Sequence, residues 1–113
     1  MDFTFSPQLH YLIHVVDDEY VAHCLDFDLV GSGASVEDAV CELNTAVRSF
    51  ILFIVKMAEV VPTIKAAPQR YWAMFKEAEK QGNTQLHTLE ISPELAPFLV
   101  NQCHFTYCLA MAA

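Results

Sequence analysis

The hydrophobic period changes abruptly across residues 31–35, and that change limits what the chain can fold into. Before it, residues 9–16 alternate Leu9, Tyr11, Ile13 and Val15 with His10, Leu12, His14 and Val16. A period of two in β-branched and aromatic residues is a strand, here with one wholly apolar face. Asp17-Asp18-Glu19 supplies turn chemistry and residues 20–25 a second strand, which together predict a β-hairpin. Leu29-Val30-Gly31-Ser32-Gly33-Ala34 then reads as a short third strand ending in a glycine-rich bend. Beyond the bend Val36, Val40, Leu43, Val47, Phe50, Ile51, Ile54 and Ala58 recur at three- and four-residue intervals, the stripe of a helix over 36–59. A strand that turns so sharply into an amphipathic helix lays that helix back on its own sheet. Gly31 and Gly33 are expected to supply backbone conformations closed to other residues at the turn. Ser35, with Asp38 three residues on, matches the S-x-x-D/E helix start, and Ala39 permits close approach of helix to sheet.

The second half of this helix is apolar almost all round, because Leu52, Phe53, Val55 and Met57 fall on its flanks or far side. A helix apolar on every side must be covered on every side. These four residues are therefore expected in an interface, with the C-terminal third or with another subunit of a dimer or tetramer. After a connector, Tyr71, Trp72, Phe75 and Ala78 repeat at helical spacing until Gly82, predicting a helix over 68–81, and a strand is expected at about 84–91. Pro97 limits any helix opened by Ser92-Pro93-Glu94 to a turn or two, and the apolar tail 103–113 is expected to dock on something. The order predicts one α+β domain over 1–113: a three-stranded antiparallel sheet, a long helix packed across it, and a C-terminal extension over 61–113 with its own helix and strand.

Charge restricts the partners. The 113 residues carry 14 Asp and Glu against 6 Lys and Arg, a net charge of −8. Residues 1–47 hold nine of the acids and no Lys or Arg, while the rest of the chain is close to neutral. DNA binding relies on cations that displace condensed counterions, so direct DNA contact is not expected, and a basic protein is the better partner. At 54% hydrophobic the chain is too apolar for disorder. The N-terminus lacks a signal-peptide pattern, and the apolar run 50–55 is far short of the ~20 residues that a bilayer requires. Cys24, Cys41, Cys103 and Cys108 show no secreted disulfide framework, so a reduced, cytoplasmic protein is expected.

Four groups of residues invite a chemical reading. Asp26 and Asp28 are two apart, and on an extended strand both carboxylates would point to one side, as nucleases use to hold Mg²⁺. With no further acidic ligand in the pattern, a charged strand end or turn is the preferred reading. His10 and His14 share a strand face with His23 nearby, a set suited to Zn²⁺ or to pH sensing, although histidines on an open sheet face are the plainer expectation. Cys103-His104 with Cys108 lacks a second matched pair and reads as core packing. Tyr71, Trp72 and Phe75, interleaved with Lys65, Arg70, Lys76 and Lys80, form a basic, aromatic patch over 65–80 able to stack RNA bases, yet the spacing favours a core-facing stripe. No Ser/His/Asp arrangement, P-loop or dinucleotide fingerprint is present, and no catalytic residue, metal or cofactor is assigned.

Residues 20–39, Tyr-Val-Ala-His-Cys-Leu-Asp-Phe-Asp-Leu-Val-Gly-Ser-Gly-Ala-Ser-Val-Glu-Asp-Ala, resemble the N-terminal domain of HicB-like antitoxins, and the flanking strand and helix extend the resemblance over about 9–60. It implies a partial RNase H-like β-β-β-α-β fold without nuclease chemistry, oligomeric, that neutralises a HicA-type toxin, a small basic mRNA interferase. Masking of that toxin would then fall to the acids Asp17, Asp18, Glu19, Asp26, Asp28, Glu37 and Asp38. Complete HicB proteins usually append a DNA-binding module. Residues 85–95 faintly resemble the opening of a ribbon-helix-helix, but 84–113 contain no Lys or Arg, so operator binding is not expected.

Overall fold

The structure, a computed structural model, describes residues 8–56, 65–82, 84–89 and 104–109. In chain order they form β1 (Gln8–Val16), β2 (Glu19–Cys24), β3 (Leu29–Gly33), α1 (Val36–Lys56), α2 (Gln69–Lys80), β4 (Thr84–Thr88) and β5 (His104–Leu109). The fold is α+β, and the predicted hairpin, third strand and long helix are all present. The sheet, however, has five strands in the order β3-β2-β1-β5-β4, with β1 and β5 parallel and the other pairs antiparallel. Residues 104–109, within the tail 103–113 expected only to dock, are thus an inner strand. Phe105 and Cys108 are buried, Thr106 and Tyr107 half-buried and Leu109 exposed, and the strand's partner β1 lies far back in the sequence, so local periodicity did not announce it.

Local chemistry explains the turns. Asp17 and Asp18 join β1 to β2 with φ of 49° and 64°, the two left-handed residues of a type I′ hairpin, for which short polar side chains are favoured. Asp38 N–H donates to Ser35 Oγ at 3.1 Å and Ala39 N–H to the Ser35 carbonyl at 3.1 Å, so Ser35 caps α1 as its spacing predicts. Gly82, at φ 78°, ends the turn after α2.

Register divides the sheet into two cores. Leu9, Tyr11 and Ile13 on β1 face the same way as Ala22, Cys24 and Phe105, and pack with Ala39, Leu43, Val47 and Ile51 of α1. Leu12 and Cys108 point to the opposite face, where Leu25, Ala67, Phe75 and Ala78 complete a second cluster beneath α2. The two helices therefore lie on opposite faces, and neither face of the sheet is open throughout. Leu43, Val47 and Ile51 are almost fully buried, each contributing about 2 kcal/mol of apolar burial.

The glycines of β3 act by size and not, as expected, by backbone freedom. Neither Gly31 nor Gly33 has a positive φ. A Cβ on Gly31 would lie 2.4 Å from the Leu43 nitrogen and 2.8 Å from the Ala39 oxygen, and one on Gly33 would lie 2.8 Å from the Ala39 nitrogen. The backbone of α1 rests directly on that of β3, and fully buried Ala39 sits at the contact.

Of the four residues expected at an interface, Leu52 is half-buried against the α1-side core, which includes Leu89 and Phe105, and Phe53 is 51% exposed. The Val55 side chain, Met57 and the predicted helical residues 57–59 lie outside the described residues, as do Ser92-Pro93-Glu94. No helix among the described residues is long and apolar enough to cross a membrane.

Substituting Gly31→Ala must push α1 off the sheet and is expected to cost about 3 kcal/mol or more in urea unfolding. Gly82→Ala meets nothing within 4 Å, and its expected cost is only the left-handed conformation, about 1 kcal/mol.

Candidate functional site

Three surfaces hold the chemistry, and the first is the histidine face. His10 and His14 lie on the α2 side of β1, and pairing of Leu12 with His23 puts His23 diagonally between them. That face is covered, contrary to expectation. The His10 ring lies 5.2 Å from Trp72 and 5.3 Å from Phe75, the His23 ring 4.8 Å from Tyr71, and His23 is only 5% exposed. The aromatic stripe of α2 thus turns onto the sheet, as its spacing favours. Tyr71 and Trp72 are half-buried and Phe75 buried, while Lys65, Arg70, Lys76 and Lys80 stay exposed without a free aromatic platform beside them. Arg70 is laid over the Tyr71 ring at 4.8 Å.

Asp26 and Asp28 lie not on an extended strand but in the turn between β2 and β3. Asp28 there adopts φ 55°. Buried Phe27, between them, packs on Phe50 at 5.0 Å and anchors the turn. Each carboxylate holds a histidine: Asp26 pairs with His10 Nδ1 at 3.1 Å and accepts the His10 backbone N–H at 2.7 Å, and Asp28 pairs with His23 Nε2 at 2.6 Å. The same turn ties in the lead to α2, since Leu25 N–H donates to the His10 carbonyl at 2.9 Å and Ala67 N–H to the Leu25 carbonyl at 2.8 Å. Among the described residues no group of three or more His, Cys, Asp and Glu could hold a metal. Cys108 is a buried core thiol, its pKa pushed up to about 11 by burial and then by Glu79, so it is no nucleophile at neutral pH. Cys103 lies outside the described residues.

The second surface is the acidic end. Because Val16 pairs with Glu19 and Tyr20 with Gly33, the β1–β2 turn and the start of α1 lie at the same end of the sheet. Asp17, Asp18, Glu19, Glu37 and Asp38 are exposed there. Asp26 and Asp28 lie at the other end, a strand length of roughly 17 Å away, so the seven acids do not form one face.

The third surface is a groove of about 460 Å³ that sequence reasoning missed. Because α1 packs on β3 and β2, no helix among the described residues covers the same face of β5 and β4 beside it. Val36, Val40, Asn44 and Arg48 of α1 form one wall, and Gln85, His87, Phe105 and Tyr107 form the floor. The floor rings lie nearly parallel, with His87 4.9 Å from Tyr107 and Phe105 4.5 Å from Tyr11. Tyr107 donates to Gln85 Oε1 at 2.8 Å and Tyr11 to Asn44 Oδ1 at 2.8 Å. Its only trace in the sequence is the two-residue spacing of Gln85 with His87 and of Phe105 with Tyr107.

No protein family, curated protein or solved structure matches this chain.

The histidine face titrates in two opposed directions. The hydrogen bond to Asp26 raises the pKa of His10 against the lowering effect of burial, whereas burial, followed by the charge of His23, lowers that of His14. A raised value means that the folded state holds the proton more tightly. The His10 contribution is therefore complete below the ordinary 6.5 and lost as pH climbs through the raised value. The His14 contribution is complete above 6.5 and lost as pH falls through the lowered value. Asp26→Asn keeps an acceptor for the His10 N–H and removes the charge. Its stability deficit in urea is expected to be greatest at about pH 5.5 and to shrink towards about pH 8; a deficit independent of pH would mean that Asp26 matters only as a turn acceptor.

Proposed function

We propose that the chain is a HicB-like, non-enzymatic domain of a cytoplasmic protein that acts by binding a small basic protein of the HicA-like mRNA interferase type. The observation that carries this reading is the acidic end of the sheet. Asp17, Asp18, Glu19, Glu37 and Asp38 are exposed together, in a stretch of 47 residues without a Lys or Arg. Such a field steers a basic partner into place and repels RNA, so a protein seated there would have its RNA-binding surface masked. The order β3-β2-β1-β5, with β5 parallel to β1 and α1 across one face, supports a partial RNase H-like core, to which this chain adds β4 at the edge and α2 on the other face.

Asp26 and Asp28 leave the docking set, because the histidine pairs occupy them at the opposite end. The same pairing takes away the geometry on which a metal-dependent nuclease would rest, and the inward turn of Tyr71, Trp72 and Phe75 does so for an RNA-stacking patch. The binding reading is the one with a surface left to use.

Co-expression with the product of the adjacent gene, followed by affinity capture, tests it directly: a small basic protein should be retained. Glu19→Lys combined with Glu37→Lys is expected to weaken that complex about tenfold or more, with a loss that narrows as salt is raised, while Asp26→Asn leaves the affinity unchanged. Undiminished affinity in the double variant would remove the acidic end from the interface.

A further inference from the structure

Strand β4 is an edge strand, the last in the order β3-β2-β1-β5-β4, so one side of its backbone has no neighbour among the described residues. Edge strands are a template for further pairing, and proteins usually guard them with Lys, Pro, a bulge or an inward charge. Thr84-Gln85-Leu86-His87-Thr88 has none of these. Gln85, Leu86 and His87 are exposed, and Leu86, the middle residue, is 70% exposed, more than any other large hydrophobic side chain described.

The strand also reads nearly the same in both directions about Leu86. An antiparallel copy placed on a twofold axis at that residue would set Thr84 opposite Thr88, Gln85 opposite His87 and Leu86 opposite Leu86. The two inner kinds of pair are compatible across strands, amide with imidazole and leucine with leucine. Gln85 and His87 already bond to each other within one chain, His87 Nε2 lying 3.3 Å from Gln85 Oε1. Charge selects the same place. A chain of net charge −8 repels its own copy over most of its surface, yet β4 and β5 together contain no Asp, Glu, Lys or Arg. The other edge is less suited. In β3 two of five residues are glycine, Asp28 precedes it, and it leads into the acidic start of α1.

We propose that two copies of this chain pair through β4, antiparallel about a twofold axis at Leu86, joining their five-stranded sheets into one. The interface is isologous, so the assembly closes as a dimer and does not propagate. Leu86 of each copy is covered by the other, and the two α1-side grooves come to lie side by side across the joint. This pairing stands apart from the antitoxin reading, and it places self-association on the sheet edge rather than on the tail of α1.

Light scattering on the full chain separates these possibilities. The protein is expected to run at twice its 12.7 kDa chain mass. Leu86→Lys sets two lysines on directly opposed positions, their Cα atoms about 5 Å apart across the axis, and should weaken the dimer roughly tenfold or more with an unchanged circular dichroism spectrum, whereas Phe53→Lys should leave the dimer intact. Cross-linking reads the register even if the lysine variant fails to fold. With Cys41 and Cys103 replaced by Ser, Leu86→Cys should form an intermolecular disulfide under a mild copper oxidant, because residues opposite each other lie within disulfide reach. Thr84→Cys should not, because its two copies would be roughly 13 Å apart. A monomeric wild-type chain, a dimer unaffected by Leu86→Lys, or a cross-link through position 84 in place of 86 overturns the proposal.

Discussion

Backbone contact between α1 and β3 decides where everything else in the molecule can go. With hydrogen in place of a side chain at Gly31 and Gly33, and a methyl at Ala39, the helix settles against the strand at a distance that no larger residue allows. Its axis is thereby committed to the β3-β2 side of the sheet. On the other side of that same face no helix among the described residues lies over β5 and β4, and the groove of about 460 Å³ opens there. Had larger residues held α1 further from β3, the helix could sit centrally and close that space. A packing constraint at two glycines thus fixes both a backbone-to-backbone contact and the groove beside it.

The opposite face is organised by polar rather than steric means. The β2–β3 turn does three jobs at once: Asp26 fixes the backbone and ring of His10, Asp28 fixes His23, and Leu25 receives the chain that leads into α2. Helix α2 then lays Tyr71, Trp72 and Phe75 over the two histidines. Buried polar groups are costly unless partnered, and among the described residues every buried side-chain nitrogen and oxygen has a hydrogen-bond partner. The carboxylates that first suggest a metal site are therefore better understood as what makes a histidine-bearing sheet face fit to be covered by an aromatic helix.

Much of this was legible in the sequence where the signal is local. The period-two run at 9–16, the Asp17-Asp18 turn, the Ser35 cap and the stripe from Val36 to Ile54 each depend on neighbours a few residues away, and each has its expected form. What depends on distant partners was not legible. The role of 104–109 as an inner strand rests on pairing with β1 across most of the chain, and an apolar run carries no mark of its partner. The sequence leaves the sheet face under α2 open, because nothing local says on which face the second helix lands. Sequence proximity also joins Asp26 and Asp28 to Asp17, Asp18, Glu19, Glu37 and Asp38 as one docking set, yet a single strand carries the chain from one end of the sheet to the other. The glycines were located correctly and explained wrongly, since sequence identifies small residues without saying whether room or conformation demands them.

The parallel pairing of β1 with β5 has a further consequence for how the molecule comes into being. Gln8 aligns with His104 and Ile13 with Leu109, so the first strand to leave the ribosome waits for the last before one side of its backbone is satisfied. The hairpin, β3 and α1 can assemble early as a local unit, because each contacts what was made just before it. Until 104–109 arrives, however, β1 is itself an edge, with Tyr11 and Leu12 uncovered on one flank. Closing so long a loop is entropically slow. Pairing with 104–109 turns the free flank of β1 from an edge into the middle of the sheet.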